Sequence, residues 1–266
     1  MALYIVGGGL SSEYITLRAV KALARAKTIY IDTYTSIAPG LDEEYVSRLA
    51  PEARIVRATR YHLENEAYRI VQEAESSDVA LLVPGDPLAA TTHVALAVEA
   101  KKRGIEVVIV PGVSGLQAVI DTTGLQVYRF GKTVTLVYPE EGVKPYTTLS
   151  VIADNRARGL HTLVLLDLRL DQGRAMTVPE AVRLLLDLES EMVAEGMLSS
   201  AFLHESMLVG VARAGLPESL CVAGPPEAVA AASYPPPPHS LVVTAPSLHP
   251  VEEEALEVFC RTNPSE

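Results

Sequence analysis

Tryptophan is missing from the 266-residue chain, phenylalanine occurs three times and cysteine twice. Basic residues are also scarce: 22 Lys and Arg stand against 33 Asp and Glu, a net charge of −11. That balance excludes a broad phosphate-binding face, which needs concentrated Lys and Arg, so no nucleic acid partner is expected. It leaves room for a local basic patch, a cationic ligand or a basic protein partner. The two cysteines, Cys221 and Cys260, lie far apart without metal-type spacing, and a reduced, cytoplasmic protein is expected from them. No apolar run reaches the ~18 residues of a membrane span. Met1 to Gly7 carries neither a basic n-region nor a long apolar h-region, so no signal peptide is read there.

Several catalytic signatures are missing too. There is no Gly-x-Ser-x-Gly elbow, no Gly-x-x-x-x-Gly-Lys-Ser/Thr loop, no Cys-x-x-Cys pair and no His-Glu-x-x-His. The six histidines are scattered, which argues against a metal site. These absences favour chemistry in which a cofactor brings an activated electrophile and the protein supplies position and electrostatics.

What is present is an ordinary globular composition, 48% hydrophobic and 21% charged, long enough for one large α/β unit or two domains. Leu3 to Val6 reads as a strand meeting Gly7-Gly8-Gly9, and Thr16 as the cap of a helix carrying Leu17, Val20 and Leu23. Thr28 to Ile31 is the next strand, ending at Asp32. This has the outline of a dinucleotide site, but the third glycine of Gly-x-Gly-x-x-Gly is replaced by Ser12. A tight turn, or a cofactor that needs close backbone approach without a diphosphate, remains. A helix over 42–50, a strand over 54–56 and a helix over 65–75 follow, with His62 as a surface loop residue.

Val79 to Val83 is a strand that runs into Pro84-Gly85-Asp86-Pro87, a stiff turn at the carboxyl end of a strand, where open α/β sheets bind ligands. A helix over 92–103 ends at Gly104, a strand over 106–110 ends at Pro111-Gly112, and Ser114 precedes another helix. Three glycine-bearing loops, at 7–10, 85–89 and 112–115, are therefore expected on one edge of a parallel sheet. Asp86 reads either as a ligand acceptor or as an Asx-turn residue holding its own loop.

The second half has a different rhythm. Strands are expected over 133–138, 161–168, 208–212 and 240–244, and helices over 150–158 and from a Thr177–Glu180 capping box to about Glu195. The segment 140–145 reads as turn-rich, 170–175 as polar, Pro235 to Pro238 as a rigid spacer, and the tail from Val251 as an acidic helix with a frayed end. The chain is divided near Gly112, into α/β domains 1–112 and 113–266 that share a cleft.

Five segments together resemble diphthine synthase, a family of the tetrapyrrole methylase superfamily. They are residues 3–10, Tyr30-Ile31-Asp32-Thr33-Tyr34-Thr35-Ser36, Gly85-Asp86-Pro87-Leu88-Ala89-Ala90-Thr91-Thr92-His93, 124–131 and 161–168. The resemblance runs from residue 3 to about 255. It implies a tetrapyrrole methylase-like fold of two α/β domains, S-adenosyl-L-methionine as methyl donor, and a homodimer. The implied substrate is the 3-amino-3-carboxypropyl-histidine of translation elongation factor 2, on the route to diphthamide. By position it implies donor contacts at Leu10, Asp86, Ala89, Ser114, Gly115, Leu166 and His239, with a backbone contact at Ala212 or Ala214. Residues 111–116 depart from the family's usual Asn-Ala-Ser-Ile-Met-Asn. No general base is assigned: His93 reads more as a packed helix-start residue than a catalytic one, and His161 and Asp167 as hydrogen-bonded structural groups. Two other readings stay open, a corrin or porphyrin-precursor methyltransferase, against which the net acidity counts, and a non-catalytic nucleotide sensor or scaffold.

Overall fold

A computed structural model describes residues 1–140 and 142–262. Two compact units are present: Met1–Gln117 together with Leu168–Arg174, and Ala118–Asp167 together with Ala175–Glu266.

The first half of the chain alternates strand and helix: β1 (Ala2–Gly7), α1 (Leu17–Leu23), β2 (Thr28–Asp32), α2 (Glu43–Leu49), β3 (Arg54–Ala58), α3 (Ala67–Ala74), β4 (Val79–Val83), α4 (Val94–Lys102) and β5 (Glu106–Val110). The caps follow the sequence: the Thr16 hydroxyl accepts the Ala19 amide and the Asp42 carboxylate the Tyr45 amide. All four strand pairs are parallel, in the order β3-β2-β4-β1-β5, as the alternation predicts. β1 is buried throughout. Its Tyr4 and Val6 pack with Ala19 and Leu23 of α1 on one face, and Leu3 and Ile5 pack with Ile70 of α3 and Leu96 of α4 on the other.

The order has a functional consequence. The chain leaves β1 towards β2 through α1, and leaves its neighbour β4 towards β5 through α4 on the opposite face. β1 and β4 are thus the topological switch point, where the loops diverge and leave room for a ligand at the carboxyl ends.

The expected loop around His62 is instead a π-helical turn over Tyr61–Asn65, in which the Glu66 amide reaches the Tyr61 carbonyl at 3.0 Å. His62 Nδ1 lies 2.9 Å from the Thr59 hydroxyl and closes that turn.

After α5 (Gly115–Thr123) come β6 (Val134–Leu136), α6 (Tyr146–Ala157), β7 (Thr162–Leu166), the small hairpin β8 (Leu168–Arg169) and β9 (Arg174–Ala175), α7 (Val178–Ala194), β10 (Leu208–Ala212), β11 (Leu220–Gly224), α8 (Pro226–Ala231), β12 (His239–Val243) and α9 (Pro250–Phe259). The second sheet is mixed, in the order β11-β10-β12-β7-β6, and only β6 and β7 are parallel. Its core packs Val164, Leu166, Leu208 and Leu241 against Leu149 and Ile152 of α6 and Val182 and Leu185 of α7. The Thr177–Glu180 capping box that opens α7 is formed in both directions. The expected frayed end beyond 262 lies outside the described residues.

The cysteines expected to be reduced are joined, Cys221 to Cys260, with Cα atoms 4.5 Å apart. The reason is tertiary. Cys221 lies in β11, and the residue after Cys260 adds to that strand: the Arg261 amide donates to the Cys221 carbonyl at 2.8 Å, and the Arg261 carbonyl accepts the Ala223 amide at 2.9 Å.

Candidate functional site

The three glycine loops meet at the switch point. Gly9 and Gly85 exchange backbone hydrogen bonds, Gly9 N–H to Gly85 O at 3.1 Å and Gly85 N–H to Gly9 O at 2.8 Å, and Gly8 N–H donates to Val83 O at 2.8 Å. Gly9 and Gly85 hold φ of +76° and +74°, a region L side chains rarely enter. Gly7 and Gly112 are glycine for another reason, because a Cβ on Gly7 would sit 2.4 Å from Gly112 N, and one on Gly112 would sit 2.2 Å from Gly85 O. Gly115 differs, for a Cβ there meets nothing within 4 Å, and one on Gly85 meets only backbone atoms at 3.8 Å or more. Backbone is thus packed against backbone on the inside of the knot and left open on the outside. No long helix starts directly behind Gly9: Ser12 opens a short 3-10 turn over Ser12–Tyr14, and α1 begins only at Leu17. A diphosphate seat of the dinucleotide type is therefore not formed.

Asp86 ties two of the loops together. One carboxylate oxygen accepts the Leu88 amide at 3.1 Å and the other the Gly112 amide at 3.2 Å. The Asx-turn alternative is thus met. A carboxylate has about four lone-pair directions, so two protein bonds leave capacity for a ligand donor. The Thr91 hydroxyl closes the loop on Pro87 O at 2.7 Å. Ala90 takes φ +55°, and Arg213 takes +51°. Among the described residues they are the two non-glycines held there, one beside Ala89 and the other between Ala212 and Ala214, each at a cost on the order of 1–3 kcal/mol.

Beside the knot, at the end of β2 and the start of α4, is a pair that sequence reasoning did not connect. His93 Nε2 lies 3.0 Å from Asp32 Oδ2, and the two side chains are 3% and 0% exposed. Asp32 also accepts the Tyr34 amide at 2.8 Å, the Thr35 amide at 3.0 Å and the Thr35 hydroxyl at 2.5 Å. Burial pushes the Asp32 carboxyl up, but the bonds from His93, Thr35 and Tyr34 outweigh it and hold the group below its usual value. Asp32 is therefore an anion, and the loop 33–36 is folded around it.

The remaining expected contacts lie in the second unit, at one edge of its sheet. Ala212 ends β10 opposite His239 at the start of β12, and Leu165 faces Ser240, which brings Leu166 beside His239. The His239 ring is already occupied. Nδ1 accepts the Val178 amide at 3.2 Å and Nε2 donates to Pro235 O at 2.7 Å. Burial pushes its pKa down, against the Pro235 carbonyl and the Glu180 charge. Both ring nitrogens therefore have protein partners.

His161 is structural, as expected. Nδ1 accepts the Ala245 amide at 2.9 Å, and Nε2 donates to Glu252 Oε1 at 3.0 Å. Asp167 accepts the Tyr138 amide at 3.0 Å. The sequence reading missed Glu252, which is fully buried and also receives the Gln126 and His249 amides, both at 3.0 Å, and the Arg129 guanidinium. Its signal was Glu252 at the third position of α9, behind His249-Pro250, a capping box with histidine in the serine position.

The family model described as Tetrapyrrole (Corrin/Porphyrin) Methylases matches residues 2–198. The diphthine synthase of Staphylothermus marinus is 44% identical over 97% of this chain and 93% of its own length. The diphthine methyl ester synthase of Mus musculus is 35% identical over 97% of this chain and 96% of its own. A solved diphthine synthase structure superposes with a TM-score of 0.85 at 33% identity, covering 98% of this chain and 96% of that one. A chain that carries this glycine knot at its switch point and matches these proteins from end to end belongs to the tetrapyrrole methylase family, in its diphthine synthase branch.

Proposed function

We infer that the protein is a methyltransferase that uses S-adenosyl-L-methionine to methylate the modified histidine of translation elongation factor 2 in diphthamide biosynthesis. The observation that carries this reading is the 44% identity to a diphthine synthase over nearly the whole of both chains. The residues present suit the donor. Its amine and ribose hydroxyls are hydrogen-bond donors that suit Asp86, and the bare backbone at Gly85 and Gly115 admits a flat ligand at close range. The residues that the resemblance assigns to hold it are Leu10, Asp86, Ala89, Ser114, Gly115, Leu166 and His239, with a backbone contact at Ala212 or Ala214. When bound, the donor supplies an electrophilic sulfonium methyl group. The chain's own part is to orient the acceptor in line, exclude water and take up the released proton. A homodimer belongs to the same proposal.

The test is transfer of labelled methyl from the donor into elongation factor 2 that carries the unmethylated side chain, followed by mass spectrometry of the histidine. Label in that histidine supports the reading. Label only in a tetrapyrrole precursor overturns it, and binding of S-adenosylhomocysteine without any turnover would point to a sensor instead.

A further inference from the structure

The buried Asp32–His93 pair has a feature that plain packing does not need. Asp32 is an anion whose oxygens accept every bond they make, so His93 Nε2 must be the donor. In the neutral ring the lone pair then sits on Nδ1. Nδ1 makes no hydrogen bond among the described residues, whereas both ring nitrogens of His161 and of His239 are engaged. No described side-chain nitrogen or oxygen is sealed from solvent without a partner, so the exposure that remains to the side chain, 3%, includes Nδ1. The pair also joins the two segments that flank the switch point on this side: His93 ends the loop that carries Asp86 and Ala89, and Asp32 organises loop 33–36.

Resting on the function inferred above, we propose that His93 is the proton acceptor for the amine that is methylated, with Nδ1 the accepting atom and Asp32 the residue that fixes the ring. An ammonium nitrogen has no lone pair, so an amine must lose a proton before it can attack. The ammonium first gives one proton to Nδ1 and becomes a neutral amine; its lone pair then forms the N–C bond as the C–S bond of the sulfonium breaks, the sulfur keeps the bonding pair, and the positive charge passes to the methylated nitrogen. The resulting imidazolium faces the Asp32 carboxylate, an arrangement that both stabilises the charge and selects the tautomer.

Two measurements test this. In the protein without donor or substrate, 15N NMR of the histidine rings should find the His93 proton on Nε2 and Nδ1 bare, with the two exchanged in Asp32→Asn, whose amide donates to Nε2. In the labelled-transfer assay, His93→Gln should lose about 10²–10⁴-fold in kcat while its calorimetric affinity for S-adenosylhomocysteine stays within threefold of wild type. His93→Gly should regain activity with added imidazole. A bare Nε2 in the wild type, or His93→Gln with kcat within threefold of wild type, overturns the proposal. If the histidine variants fail to fold, the wild-type NMR result decides. Absence of transfer by the wild type would instead count against the inferred function, so the two failures are distinct.

Discussion

A methyl group added at Gly112 would meet the Gly85 carbonyl at 2.2 Å, whereas one added at Gly115 would meet open space. Two glycines three residues apart therefore meet different surroundings, one pressed on backbone and the other facing open space. Gly112→Ala should destabilise the protein by about 1–3 kcal/mol, read as a Tm lowered by about 2–4 °C per kcal/mol. Gly115→Ala should leave Tm near wild type and weaken S-adenosylhomocysteine binding in calorimetry. Equal Tm losses in both variants would show that the distinction is wrong. The glycine knot was legible in the sequence because glycine is itself the signal, in the form of three loops at three strand ends. The Asp32–His93 pair was not legible. Its partners are 61 residues apart, and they meet only once β2 has paired with β4 and the loop after β4 has returned to the start of α4.

Helix α9 is held less by its own propensity than by one buried carboxylate. Glu252 receives bonds from His161, Gln126, His249 and Arg129, so the helix, the segment 126–129 and the residue that leads into β7 share a single anion. Glu252→Gln leaves Arg129 without its charge partner and should cost about 3–5 kcal/mol, measured by urea denaturation. The pH dependence has a definite sign. Burial pushes the His161 pKa down despite Glu252, so the unfolded chain binds that proton more readily, and stability falls as pH drops below about 6.5. Burial pushes Glu252 up, but its hydrogen bonds win and hold it low, so a second loss begins below about 4.5. Tm should therefore decline from pH 7 to pH 3, with the added loss below about pH 4.5 removed in Glu252→Gln. Elements of the first half were readable because strand and helix periods alternate cleanly there. In the second half β6 proved shorter than expected, since the Tyr138 amide goes to the Asp167 side chain instead of a ladder. β11, five residues containing a cysteine and a terminal glycine, carried too little pattern to be seen.

At the scale of the whole molecule, Cys221–Cys260 spans a sequence separation of 39 residues. Closing a loop of that length removes unfolded-state entropy worth about 4 kcal/mol. Reduction, or Cys260→Ser, should lower Tm by roughly 8–16 °C at about 2–4 °C per kcal/mol, and a Tm indifferent to reductant would contradict the linkage. Among the described residues no helix is long and apolar enough to cross a membrane. The first unit is written in two places along the chain, up to Gln117 and again from Leu168 to Arg174. Its five-strand sheet has all its residues once Val110 is synthesised, but the unit itself is not complete until Arg174. At ~5–20 residues per second, a nascent chain waits roughly 3–13 s between the two events. A cut of the gene near residue 117 would leave the upstream piece without Leu168–Arg174, seven residues that belong to its unit and that only the downstream piece encodes.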